Sequence, residues 1–183
     1  MSDVEYLKSL LGVHHDFPKK DVTFLDIFPI LRDPAAFEVL ITNFLDHLTS
    51  HTIPSLEGGK IDVVVGLDAR GFLLGPIIAS RLKAAFVPVR KIGKLPGECV
   101  DAEYQKEYGK DVFQMQVGTI QPGQNAIVID DLVATGGSAV AAGELVAKQG
   151  GKTVEYLFII EATFLNARSK LDAPLYSIIQ ADG

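Results

Sequence analysis

Residues 127–138 run from Ile127 through Asp130 and Asp131 to a small Gly-rich turn ending at Ser138, and they set two kinds of polar chemistry side by side. The turn Ala134, Thr135, Gly136, Gly137, Ser138 suits an anion. Its glycines allow close backbone approach, its hydroxyls donate, and the helix that follows offers free N–H groups and the positive end of its dipole. Asp130 and Asp131 do not suit phosphate, so they face something else: the hydroxyls of a sugar or a magnesium ion. Taken alone, the pair also suits a solvated strand end or a helix cap. Its place directly before the turn argues for a site, and phosphate beside diol or metal points to a phosphorylated sugar.

A second turn, Asp68-Ala69-Arg70-Gly71, has the same setting: an apolar strand-like run before it and an apolar helix after it. Arg90, Lys91 and Lys94 follow as cations for a further anion, although any one lysine also reads as a solvated side chain. Residues 91–111 are long, polar and rich in Gly, Lys, Glu and Tyr, which reads as a flexible lid that shields chemistry from water. Two nucleotide signatures are missing, the P-loop and the dinucleotide-binding glycine fingerprint. His14, His15, His47 and His51 lack the partners of a zinc site and read as surface residues.

The elements that position these turns follow from periodicity. Asp33-Pro34 looks like an N-cap and first helical residue, and Phe37, Leu40, Ile41, Phe44, Leu45 and Leu48 recur at helical spacing. Strands are expected at 61–67, 85–89, 126–130, 153–161 and 175–180, with helices at 72–82 and 138–149, the latter stopped by Gly150-Gly151. Alternating strands and helices imply right-handed crossovers and an α/β fold, a mostly parallel twisted sheet flanked by helices. Ligands of such sheets sit beyond the carboxyl ends of the strands, where both turns fall. Residues 1–35 lie outside the alternation and are expected to form a small N-terminal hood over the sheet edge, with 36–183 as the core.

The 183 residues carry a net charge of −6, which argues against nucleic acid as a main partner because a phosphate footprint needs a basic face. A single cysteine, Cys99, excludes an intrachain disulfide and fits a reducing compartment. The acidic start has no signal-peptide layout, and no apolar run approaches the roughly 20 residues of a membrane span. The expectation is a cytoplasmic protein with no membrane partner.

The segment 127–138 resembles the phosphoribosyl pyrophosphate (PRPP) motif of the type I phosphoribosyltransferases. Residues 17–31, 65–72, 89–97 and 104–109 are similar, in order and spacing, to the adenine-specific members of that family. The resemblance implies the type I phosphoribosyltransferase fold and the transfer of 5-phosphoribosyl from PRPP to adenine, giving AMP and pyrophosphate in purine salvage. It implies that Ala134, Thr135, Gly136, Gly137 and Ser138 hold the 5-phosphate, and that Asp130 and Asp131 engage the ribose hydroxyls directly or through magnesium-bound water. Magnesium is then the cofactor, bound mainly through PRPP. Asp68, Ala69 and Arg70 would form the pyrophosphate loop, with a non-proline cis peptide, and Arg70 would lie beside the purine. Arg90, Lys91 and Lys94 would balance the pyrophosphate charge. Glu107 would be the general acid/base at a ring nitrogen, a role resting on the resemblance, since a lone Glu is most often a surface residue. Val22, Phe24 and Leu25 match the segment over the base, with Phe24 as stacking ring and Leu25 standing where many relatives carry Arg. A homodimer is implied as well. The rival readings are a type I enzyme for another base and a PRPP-sensing regulator without activity.

Overall fold

Ser2 and Glu5 close a capping box, each side chain meeting the other's backbone N–H, and so start helix α1 (Asp3–Leu10). The computed structural model describes residues 1–105 and 110–182. The chain divides into two units, Met1–His47 and Leu48–Gly183. In the first, β1 (Gly12–His15) pairs antiparallel with β2 (Thr23–Asp26). Between them the Phe17–Pro18 peptide is cis, and the Phe17 ring meets Phe24 edge-on at 5.2 Å. After α2 (Phe28–Arg32) comes α3 (Pro34–His47). Its expected N-cap is present: Asp33 Oδ1 accepts from the amides of Ala35 at 2.9 Å and Ala36 at 3.2 Å. Helix α3 packs on α1 and α2, so the unit boundary falls after His47 rather than at residue 35.

The second unit opens with a π-helical turn, Leu48–Thr52, that runs into the short α4 (Ile53–Ser55). There follow β3 (Val63–Leu67), α5 (Gly71–Leu82), β4 (Ala85–Lys91), β5 (Cys99–Gln105) and β6 (Lys110–Gln116). The remainder is β7 (Asn125–Val133), α6 (Gly137–Lys148), β8 (Lys152–Ala162), two 3-10 turns at Thr163–Leu165 and Ala167–Lys170, and β9 (Leu175–Ala181). Among the described residues, seven strands form one sheet in the order β5-β6-β4-β3-β7-β8-β9. The strands from β4 through β9 in that order are parallel, and β6 joins β4 and β5 antiparallel. The fold is therefore the expected α/β sheet, with a mixed edge.

Segment 91–111 holds more regular structure than its polar composition suggests, because β5 and β6 occupy much of it. Ala102 and Tyr104 are buried while Asp101 and Glu103 are exposed, a period of two that the surrounding charges obscure. Phe113 and Met115 answer them from β6, and Tyr104 stacks on Phe113 at 4.4 Å.

Every residue of β3 is buried, as in a strand covered on both faces. Val63, Val65 and Leu67 cluster with Val87, Val128 and the α6 residues Ala139, Ala142, Leu145 and Val146. Each large aliphatic side chain in this cluster contributes roughly 1.5–3 kcal/mol by leaving water. The opposite face meets α5, which approaches closely through glycine: a Cβ on Gly75 would stand 2.5 Å from the Phe86 ring and 3.4 Å from Ile129. On α6 a Cβ on Gly143 would stand 2.1 Å from the Tyr156 hydroxyl, which donates to Asp172 at 2.7 Å. Burial and that carboxylate push the Tyr156 phenol up. No helix among the described residues is long and apolar enough to cross a membrane.

Candidate active site

Strands β3 and β7 are neighbours, and the helices after them cover opposite faces of the sheet, so a crevice opens between their carboxyl ends. Both sequence-predicted turns meet there. Gly71 begins α5 so close to β7 that a Cβ would stand 2.5 Å from the Ile129 carbonyl and 3.5 Å from Asp130 Oδ1. A cleft of about 500 Å³ lies at this point, lined by Arg70, Asp130, Asp131 and the whole run Ala134 to Ser138, with Tyr104 and Phe158 on its walls. It falls in the usual size range of small-molecule sites.

The turn after β3 has the Asp68–Ala69 peptide in the cis form. Asp68 accepts from Arg90 Nε at 2.8 Å, and its amide donates to the Val89 carbonyl, so β4 and the turn are locked together. Arg90 also donates to the Lys94 carbonyl at 3.2 Å and lies over the Phe72 ring. Lys91 pairs with Asp111 at 3.4 Å. Arg90, Lys91 and Lys94 thus stand at the end of β4 beside the turn rather than among the residues lining the cleft. Arg70 Nε donates to Asp131, a buried carboxylate on the other side of the crevice.

The turn after β7 is built for an anion. Gly136 takes φ +85°, where a side chain is disfavoured, and no side chain caps α6, which leaves its first amides available. Ala167 packs against Gly136, and Lys170 Nζ donates to the Thr135 carbonyl at 2.7 Å. Asp130 differs from its neighbour, because its Oδ1 is buried with no hydrogen-bond partner among the described residues. Burial, then the charge of Asp131, pushes the Asp130 carboxyl well above the usual carboxylate range, opposed by Arg70. A buried orphan oxygen of this kind fits a sugar hydroxyl or a hard cation with its water.

Glu107 lies outside the described residues. Val22, Phe24 and Leu25 belong to the first unit: Phe24 faces His14 and Leu25 faces Val13 across the β1–β2 ladder, and Val22 is exposed. Two contacts were not anticipated from sequence, Tyr104 in the cleft wall and Lys170 on the turn after β7. Tyr104 was legible as the buried phase of an alternating strand. Lys170 lies 35 positions from its partner and gives no local signal.

The strand-end crevice thus brings together an uncapped Gly-rich turn, paired carboxylates and a second turn bearing arginine. Residues 41–180 match the phosphoribosyl transferase domain family. Adenine phosphoribosyltransferase of Yarrowia lipolytica is 54% identical over 173 residues, 94% of this chain and 93% of that protein. Adenine phosphoribosyltransferase 1 of Saccharomyces cerevisiae is 48% identical over 180 residues, covering 98% and 94% of the two chains. The crystal structure of the Saccharomyces cerevisiae protein complexed with D-2,5-dideoxy-2,5-imino-altritol 1,6-bisphosphate and adenine superposes with a TM-score of 0.91 at 47% identity, covering 96% of this chain and 98% of that one. The Giardia lamblia protein complexed with 9-deazaadenine gives 0.87 at 30% identity, over 100% of both. The chain belongs to the adenine phosphoribosyltransferase family.

Proposed function

We infer that this protein transfers the 5-phosphoribosyl group of PRPP to adenine, forming AMP and pyrophosphate in purine salvage. The observation that carries the reading is the order of chemistry along the crevice. An anion turn at Ala134 to Ser138, a carboxylate pair at Asp130 and Asp131, and a cationic edge at Arg70, with Arg90 behind it on Asp68, follow one another. PRPP has the matching order: phosphate, diol, pyrophosphate.

In the reaction the C1–O bond to pyrophosphate breaks, the leaving group keeps the electron pair, and adenine N9 forms the new bond to C1 and loses its proton. Positive charge develops on the ribose ring between these events. Asp130 and Asp131 hold the 2- and 3-hydroxyls, and negative charge already in place at the pair faces the charge that develops, the arrangement that lowers such barriers most. Asp131 is oriented by Arg70, whereas Asp130 gains its missing partner when the diol arrives. Magnesium, when bound on PRPP, neutralises charge on the pyrophosphate, and the orphan oxygen of Asp130 fits its hydration shell. Asp68 and Ala69 shape the pyrophosphate loop, with Arg90, Lys91 and Lys94 as its counter-charges. Glu107 serves as the acid/base group at the adenine, and Val22, Phe24 and Leu25 as base contacts, on the strength of family likeness. The same likeness supports a homodimer. The single cysteine supports a cytoplasmic location.

The test is to incubate the purified protein with adenine, PRPP and Mg²⁺ and separate the products. AMP and pyrophosphate should form one to one, and Glu107→Gln should depress kcat far more than PRPP affinity. Failure to form AMP would overturn the assignment.

A further inference from the structure

The phosphate turn carries no charge of its own, since Ala134 to Ser138 include no basic residue. Two carboxylates precede it directly, and the whole chain is at −6. The free amides and dipole of α6 oppose that negative field in part, and a cation brought in from elsewhere in the fold would offset it further. The structure brings one: Lys170 Nζ donates to the Thr135 carbonyl at 2.7 Å. An ammonium has three N–H donors, and this contact uses one. Among the described residues Lys170 makes no ion pair, and it is exposed, so its charge is not cancelled by a partner.

Its position is also built rather than incidental. Lys170 ends the 3-10 turn Ala167–Lys170, and that turn is pinned at two points. Ala167 packs against Gly136, leaving 3.2 Å to the place a Gly136 Cβ would take. Arg168 grips the buried Glu161 with two hydrogen bonds of 2.7 and 2.6 Å and donates a third to the Leu175 carbonyl at 2.6 Å. This fork geometry is directional, so it fixes the backbone that carries Lys170.

We propose that Lys170 is the cation of the phosphate turn, holding the Thr135 carbonyl and supplying the positive charge that draws in the 5-phosphate. The proposal rests on the reading of PRPP as substrate and adds a binding residue to it. The test compares wild type with Lys170→Gln and Lys170→Arg at low salt. Lys170→Gln should raise the KM for PRPP about three- to tenfold, the scale of one partly exposed charge. Its kcat, adenine KM and melting temperature should stay within error of wild type. Lys170→Arg should recover most of the loss, and added salt should shrink the gap. An unchanged PRPP KM in Lys170→Gln, or an arginine variant as weak as the glutamine one, would overturn the proposal. If the wild type forms no AMP, the substrate reading fails, and calorimetric titration with ribose 5-phosphate still decides the role of Lys170. Equal affinity in wild type and Lys170→Gln would then contradict it.

Discussion

Arg70 and Asp131 stand 61 positions apart in the chain and are joined across the crevice, the Nε of one donating to the Oδ2 of the other. The contact ties the turn after β3 to the turn after β7, so two stretches of chain on either side of the crevice are coupled through one ion pair. Asp131 is buried but the Arg70 side chain is 41% exposed, so removing the guanidinium leaves one buried carboxylate unpaired in a partly solvated site, a loss on the order of 1–3 kcal/mol. Arg70→Gln should therefore lower kcat/KM for PRPP by about 5- to 100-fold. Arg70→Lys should recover little of it, because an ammonium lacks the guanidinium fork. Steady-state kinetics within twofold of wild type would remove the role given to this pair.

Asp130 is held at a cost to the fold. Its folded carboxyl titrates above the unfolded one, so the folded state binds the extra proton between the two values. Stability from this group is present in full below the unfolded pKa and is lost as pH rises through the folded pKa. Asp130→Asn should consequently raise the melting temperature at neutral pH, by roughly 2–4 °C per kcal/mol regained. The gain should vanish toward the acid side, where wild type is protonated too. Ribose binding and turnover should fall in the same variant. Thermal unfolding across pH checks this, and a variant less stable than wild type at pH 7 would contradict it.

Gly136 is poorly suited to a side chain on two counts. Its φ of +85° lies where β-branched residues are strained, and a Cβ would stand a tight 3.2 Å from the Cβ of Ala167, with the further methyls of valine still to place. Gly136→Val should abolish measurable PRPP binding through distortion of the turn. Near-normal binding by calorimetry would mean that the phosphate lies elsewhere.

Gly143 tests the packing that sets α6, and with it the turn after β7, against the sheet. A Cβ there would overlap the Tyr156 hydroxyl, and Tyr156 is fully buried and cannot swing away. Gly143→Ala should cost about 1–3 kcal/mol by overpacking. Tyr156→Phe removes the clashing oxygen, so the double variant should be more stable than the sum of the two single losses. Strict additivity in thermal unfolding would show that the helix simply shifts.

Much of this architecture was legible because it rests on local pattern. The three valines of β3, the Asp33-Pro34 start of α3 and the Gly150 stop of α6 each announce themselves within a few residues. Gly150 takes φ +82°, and the Gly151 amide returns to the Val146 carbonyl at 3.1 Å, as a glycine-terminated helix requires. The two turns were legible for the same reason, since each is a contiguous run of unusual residues. Strands β5 and β6 were not, because Asp101, Glu103 and Lys110 dominate their composition while the buried phase is only every second residue. Contacts made across the fold left no trace in the sequence. The Arg70–Asp131 pair, the Asp68–Arg90 pair and the Lys170 contact join residues whose spacing carries no period, and only the closing of the sheet brings them together.

Base selectivity tests the central claim most directly. Purified protein supplied with PRPP, Mg²⁺ and equimolar adenine, hypoxanthine, guanine and uracil should convert adenine to AMP at least about 100-fold faster than any other base reacts, a floor below the ~10⁴-fold that a hydrogen-bonding site can reach. Faster turnover of hypoxanthine than of adenine would contradict the account.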